Sequence, residues 1–290
     1  MTLVRRPAMA GLFYPADASD CARQIDQFIE QPVIPGAIGG LLPHAGWSYS
    51  GKTAGYTIGA LRSVDADTVV VFGAVHVADR NLASVYPGGA WETPFGSVCI
   101  DDELAGALLR QCPETVADAE IHSREHSIEV EIPFVHRAFP QARILPVMVA
   151  ATAHAAAIGR SLAQAAASLG RGVVVLASTD LTHYGPRFGF EPHGHGAAGT
   201  RWAKEVNDRL FVERVFAMNM GGVVTEAVAH RNACGAGAVA ATIAAADCLG
   251  AAGYLELDHT SSADCEPAGA PVFNSVGYHA GVFVRSVSAI

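Results

Sequence analysis

The stretch "GVVVLASTDLTHYG" (172–185) decides how the fold is read. Its first half is a short, unbroken apolar run. Such a run suits a strand buried on both faces, and such strands belong to sheets covered by helices. Its second half places Asp180 and His183 just past the carboxyl end of that strand. In open α/β sheets, ligands bind in the crevice beyond those ends.

The same arrangement recurs. "AIGGLL" (37–42) is followed by His44, within "LLPHAGWSYSG" (41–51), and "TVVVFG" (68–73) is followed by His76. "ARILPVMV" (142–149) reads as a fourth buried strand. Helical patterns are predicted over 52–62, 102–111, 125–138, 155–169, 202–219 and 235–249. This alternation predicts an α/β sandwich with a mostly parallel or mixed sheet, as a single domain over 1–290. "SVYPGGAWETPFGSVCID" (84–101) carries turn residues around short β-prone pieces and reads as a hairpin at the sheet edge. "GYLELDHTSS" (253–262) and "VGYHAGVFV" (276–284) read as two more strands. The sequence has no internal repeat, low-complexity block or linker.

Composition narrows the function classes. Half of the 290 residues are apolar and 16% are charged, enough apolar content for a large core. The net charge of −9, without a basic run, argues against a nucleic-acid backbone or an anionic membrane as partner. The N-terminal segment has no signal-peptide apolar region. The Ala- and Gly-rich stretch 233–253 is interrupted by Asp247 and reads as a closely packed buried helix rather than a membrane span. The six cysteines include no C-x-x-C pair, so free thiols in a reducing cytoplasm are expected. Twelve histidines against 19 Lys plus Arg are an unusual share, and histidine is the commonest metal ligand.

Three strand-end loops carrying His44, His76, Asp180 and His183 point to one shared site. "RNACGAGAVAA" (231–241) adds Cys234 in the opening turn of an Ala-rich helix, with Asn232 near the N-cap. A helix N-terminus favours a thiolate, which is a strong ligand or nucleophile; the alternative is a small residue packed under the helix start. In "IHSREHSIEVEIPF" (121–134), His122 and His126 lie at i, i+4, as do Glu125 and Glu129. One face of this helix is expected to line the pocket and the other to be solvated, with a salt-bridged exposed position as the alternative for Glu125 and Glu131. "FEPHGHG" (190–196), with His193 and His195, reads as a lid or exposed loop. No P-loop, no G-x-G-x-x-G after a strand and no G-x-S-x-G elbow occurs.

Seven ordered segments, "RRPAMAGLFYP", "PHAGWSYSG", "GAVH", "WETPFGSV", "EHSIEVEIPF", "STDLTHYG" and "NACGAGAV", resemble the Memo family, also called AmmeMemoRadiSam system protein B, over nearly the whole chain. The resemblance implies a fold similar to the class III extradiol dioxygenases, which are non-haem iron(II) enzymes. It implies a metal site of His44, His76 and Cys234, with Asp180 and His183 in the same pocket and His126 beside it as an acid–base candidate. Cys234 stands where the dioxygenases supply a carboxylate, and a thiolate shifts metal preference toward copper(I), zinc or a redox-active iron. The expected function is therefore a metal-dependent oxidoreductase, dioxygenase-like. Iron(II) is the first expectation for the metal and copper or zinc the alternatives. The substrate is expected to be a small molecule or peptide. Zinc hydrolysis is a weaker reading. An adaptor or ligand-binding module using the same pocket, with protein partners from the same system, is the principal alternative.

Overall fold

A computed structural model describes residues 3–267 and 270–285. β1 (Val4–Arg5) is followed by α1 (Ala18–Phe28), whose first turn is capped by the Asp17 carboxylate accepting the Ser19 and Asp20 N–H groups. β2 (Ala37–Leu42) leads into α2 (Trp47–Leu61), and β3 (Thr68–Gly73) into β4 (Ala83–Val85). β5 (Ala90–Thr93) and β6 (Gly96–Cys99) form the expected hairpin, but with β1 they make a separate three-stranded sheet rather than the edge of the large one. Then come α3 (Asp102–Gln111), β7 (Thr115–Ala117), α4 (Ile132–Ala138), β8 (Arg143–Val149), α5 (Ala155–Ser168), β9 (Val173–Ser178) and β10 (His183–Tyr184). Four helices follow: α6 (Ala197–Trp202), α7 (Asp208–Phe216), α8 (Met220–His230) and α9 (Ala236–Cys248). The last strands are β11 (Gly253–Ser261) and β12 (Ser275–Val284).

The large sheet runs β10-β12-β2-β9-β3-β8-β4-β7, with β11 paired to β12. Its four middle strands, β2, β9, β3 and β8, are parallel, whereas β12 and β4 run antiparallel to β2 and β8. The fold is therefore a mixed α/β sandwich. All six residues of β2 and of β3 are buried, which is why both read as continuous apolar runs. Successive side chains of β3 enter opposite cores. Val70 and Phe72 pack with Leu108, Leu162, Phe211 and Ile243 of α3, α5, α7 and α9. Val69 and Val71 pack with Ile25, Ile58 and Phe134 of α1, α2 and α4. Leu42 lies beside Ser178, and Phe72 beside Ala177, so β2, β9 and β3 end side by side. That register brings the loops bearing His44, Asp180 and His76 to one edge.

α9 is buried all round from Ala236 to Ala246. Among the described residues no helix is long and apolar enough to cross a membrane. Small side chains let α9 meet α5 at close range: a Cβ on Gly159 would collide with the carbonyl oxygen of Ala241.

Several expectations need correction. The helix expected over 125–138 is α-helical only from Ile132, after a 3₁₀ turn at Glu129–Glu131. Pro133 suits the first helical turn and cannot sit further in, so the helix starts late. His122 and His126 therefore share no helix face. Glu125 and Glu131 are both buried rather than exposed, at 2% and 0% accessibility. The helix expected over 202–219 is in fact α6 and α7 joined by a π-helical turn at Ala203–Asn207. That turn sends both Asn207 and Asp208 inward, onto the side chain and backbone N–H of Thr182. α2 begins five residues before the expected start, and α1 and α8 went unread.

Candidate metal centre

His44 leaves the end of β2 and is 1% exposed. Its backbone N–H donates to Asp180 Oδ1 at 2.9 Å, which fixes the strand-end turn. Its Nδ1 lies 2.8 Å from Ser178 Oγ. That hydroxyl has one proton, which goes to the Ser127 carbonyl at 2.6 Å. Nδ1 must then be the donor to Ser178, so His44 keeps its lone pair on Nε2. Nε2 lies 3.4 Å from Cys234 Sγ.

His76 is fixed by a carboxylate. Its backbone N–H donates to Glu125 Oε2 at 2.6 Å and its Nδ1 to Oε1 at 3.0 Å. Oε1 also accepts the N–H groups of His126 and Ser127, at 2.9 and 2.8 Å. Burial alone would raise Glu125, but the hydrogen bond and charge of His76, with the backbone donors, hold it well below the usual carboxylate range. With Nδ1 committed to Glu125, His76 also presents Nε2. Burial pulls its pKa down, but Cys234 and Glu125 outweigh that and raise it to about 10.

Cys234 lies in the turn before α9, whose N-cap is Gly235. Asn232 is not the cap; it is buried, and its amide donates to Asn207 O at 2.9 Å. The thiol is positioned through the backbone of Asp180. Cys234 N–H donates to Asp180 O at 3.2 Å, and Sγ accepts Asp180 N–H at 3.3 Å. This close approach needs a glycine next in line, because a Cβ on Gly235 would strike Ser178 O and the Thr179 side chain. One atom each from His44, His76 and Cys234 lies within 4.8 Å of the other two.

His126 completes a ring of imidazoles. It stacks on His76 with centroids 4.8 Å apart and meets His44 edge-on at 5.4 Å. Its Nδ1 lies 3.6 Å from Glu125, and His76, Glu125 and His126 form a second group of potential donors that shares His76. Burial, then the charge on His76, lowers the pKa of His126; burial and both neighbours push His44 well below the ordinary histidine value. His183 stands on the wall of a cavity of about 350 Å³ that it shares with Cys234. Its Nδ1 donates to Leu181 O at 3.0 Å, and its ring meets Phe188 edge-on at 5.1 Å.

Other residues fall elsewhere. His122 is buried against Ser84 O, Tyr86 and Trp91. His193 stacks on Trp202 at 4.0 Å, and His195 pairs with Glu191 at the exposed loop. Glu129 clamps the N-terminal segment by accepting from Arg5, Ala8, Met9 and Tyr14. Glu125, Ser127 and Ser178 are the supports that the sequence reading did not assign.

Known proteins resemble the chain over nearly its whole length. The profile of the Memo-like protein family matches residues 5–282. The chain belongs to the Memo-like family. A MEMO1 family protein of Methanopyrus kandleri is 36% identical, covering 97% of this chain and 99% of its own length. One from Methanothermobacter thermautotrophicus is also 36% identical, covering 90% and 95%. A third, from Pyrococcus abyssi, is 33% identical over 90% of this chain and 93% of its own.

Proposed function

We propose that this Memo-family protein binds one transition-metal ion through His44, His76 and Cys234 and works as a metal-dependent oxidoreductase of the dioxygenase-like kind. The observation that carries the reading is that both histidines are held through Nδ1. Ser178 holds Nδ1–H of His44 and Glu125 holds Nδ1–H of His76, so Nε2 of each ring is turned toward Cys234; in the metal-free chain His76 is protonated there too, and a metal ion would take the place of that proton. Outer partners of this kind orient metal-binding histidines and raise their basicity. Two imidazoles and a thiolate fit a first-row transition metal; iron(II) is the leading candidate, with copper or zinc as alternatives. When bound, the metal would supply Lewis acidity and, as iron or copper, one-electron chemistry.

The chain's own residues have separate tasks. Glu125 keeps His76 oriented and balances positive charge at the centre. Asp180 positions two ligands at once, His44 through its carboxylate and Cys234 through its backbone. His183, with Nδ1–H committed to Leu181, offers Nε2 as a proton acceptor on the cavity wall. His126 is a second proton carrier beside Glu125. Small molecules or an extended peptide end would enter by the cavity.

The test is oxygen uptake by anaerobically iron-loaded protein on addition of catechols. Uptake that requires both iron and Cys234 is the expected result. Stoichiometric metal without uptake on any catechol would remove the dioxygenase-like activity and leave the binding-module reading.

A further inference from the structure

The cavity beside Cys234 has a polar end that the metal-centre reading does not use. It is lined by Leu181, His183, Ala233 and Cys234 and, at the C-terminal end of α8, by Ala227, Val228 and the capping Arg231. Arg231 caps α8 in the left-handed region, at φ 52° and ψ 40°. Glycine or asparagine is the usual occupant of such a position, so an arginine there points to a use for its side chain.

The guanidinium donates from Nη1 to Gly189 O and from Nη2 to Phe188 O, both at 3.2 Å, and lies 4.8 Å over the Phe190 ring. Two of its five N–H groups are used in this way and three remain. Among the described residues no carboxylate pairs with it, and its partners are these two carbonyls and the Phe190 ring. The cavity thus offers apolar walls from Leu181, Ala227 and Val228, a reacting end at Cys234 and His183, and one fixed cation. We propose that Arg231 is the specificity residue for an anionic substrate group, and that the substrate is a compact, largely apolar carboxylic acid. The acid group sits on the Arg231 fork while the apolar body extends toward Cys234. A planar fork matches a planar carboxylate through two parallel bonds. The same fork can hold a phosphate, but the apolar lining of Leu181, Ala227 and Val228 favours an acid with an apolar body over inorganic phosphate. The orientation of the substrate rests on the proposed role of the His44–His76–Cys234 centre; the anion subsite does not.

The probes are benzoate, its neutral isostere benzamide, and inorganic phosphate. They are applied to the full chain after chelation and again after zinc loading. Binding is read by calorimetry, and its location by the rate of iodoacetamide labelling of Cys234 in the chelated protein, with exposed Cys265 as the internal control. Benzoate should bind and should slow labelling of Cys234 but not of Cys265. Benzamide should bind at least about tenfold more weakly, the share of one charge-assisted pair, and phosphate should also bind more weakly, because it has no apolar body to set against Leu181, Ala227 and Val228. Arg231→Gln should erase the preference for benzoate over benzamide, and Arg231→Lys should keep part of it. Equal binding of benzoate and benzamide, stronger binding of phosphate, or an unchanged preference in Arg231→Gln would overturn the proposal. So would an Arg231→Gln variant that only melts earlier, which would make Arg231 a tether for the 186–190 loop. Arg231-dependent benzoate binding in a protein that takes up no metal would keep the subsite and remove the metal function.

Discussion

Glu125→Gln is the most informative single change at the centre, because it keeps volume and removes charge. The Glu125 carboxylate is 2% exposed and accepts four N–H groups: His76 N, His76 Nδ1, His126 N and Ser127 N. Oε1 accepts three of them and Oε2 the fourth, so a glutamine with its carbonyl oxygen in the Oε1 position turns its amide toward the backbone N–H of His76. At least one donor is then left without a partner. Because His76 is itself partly exposed, the expected cost is that of an unpaired donor, about 1–3 kcal/mol of stability, within the ~5–15 kcal/mol that a domain holds. The folded variant should also lose about 10- to 100-fold in metal affinity, because the amide repels the backbone N–H of His76 and no carboxylate charge then supports that ring as a ligand. Urea unfolding of chelated protein reads the first quantity, and competition against a chromophoric chelator reads the second. A folded Glu125→Gln protein with wild-type metal affinity would refute the claim that Glu125 prepares His76 for a metal.

Other outcomes follow from the same geometry. Cys234 should be protected from iodoacetamide while metal is bound and should become reactive after chelation, whereas buried Cys21 and Cys112 stay slow in both states; equal labelling of Cys234 in both states would remove it as a ligand. His183→Ala should keep the metal and lose about 10- to 100-fold in turnover, since His183 stands on the cavity wall and not among the three donors; loss of metal as complete as in His76→Ala would make it a ligand instead. In the chelated protein the raised pKa of His76 stabilises the fold fully below its ordinary value of 6.5, and this contribution is lost as pH rises toward about 10. The lowered pKa of Glu125 acts in the opposite direction: its contribution is present above the ordinary 4.5 and is lost as pH falls below it. Melting temperatures of chelated protein should therefore decline on both sides, and His76→Gln should abolish the alkaline decline; an unchanged alkaline decline in that variant would contradict the charge assigned to His76.

The parallel strands were legible because burial on both faces leaves an uninterrupted apolar run, as in β2, β3 and β9. His44, His76 and Asp180 were legible for the same reason, since each follows such a run by a few residues. Glu125 and Glu131 were harder. Acidic residues at helical spacing usually mark a solvated face, and only the three-dimensional fold shows that Glu125 is satisfied by four N–H groups. Glu131 is stranger: it is fully buried beside Ser178, with neither carboxyl oxygen hydrogen-bonded among the described residues. Burial and then the charge of Asp180 push its pKa well above the usual value, so the carboxyl is held neutral. Serines such as Ser178 carry no sequence signal, since their role depends on which partner takes their one proton. The π turn at Ala203–Asn207 is equally silent, because it changes the direction of Asn207 and Asp208 without changing the helical pattern.

Metal stoichiometry tests the central claim most directly. Protein purified anaerobically and loaded with iron(II), copper(I) or zinc, then freed of excess, is assayed by elemental analysis beside His44→Ala, His76→Ala and Cys234→Ala. The account predicts close to one ion per chain for at least one of these metals, and near-complete loss of that ion in all three variants while their circular dichroism stays native. Wild-type occupancy in any folded variant of the three, or no retained ion in the unmodified chain, would contradict it.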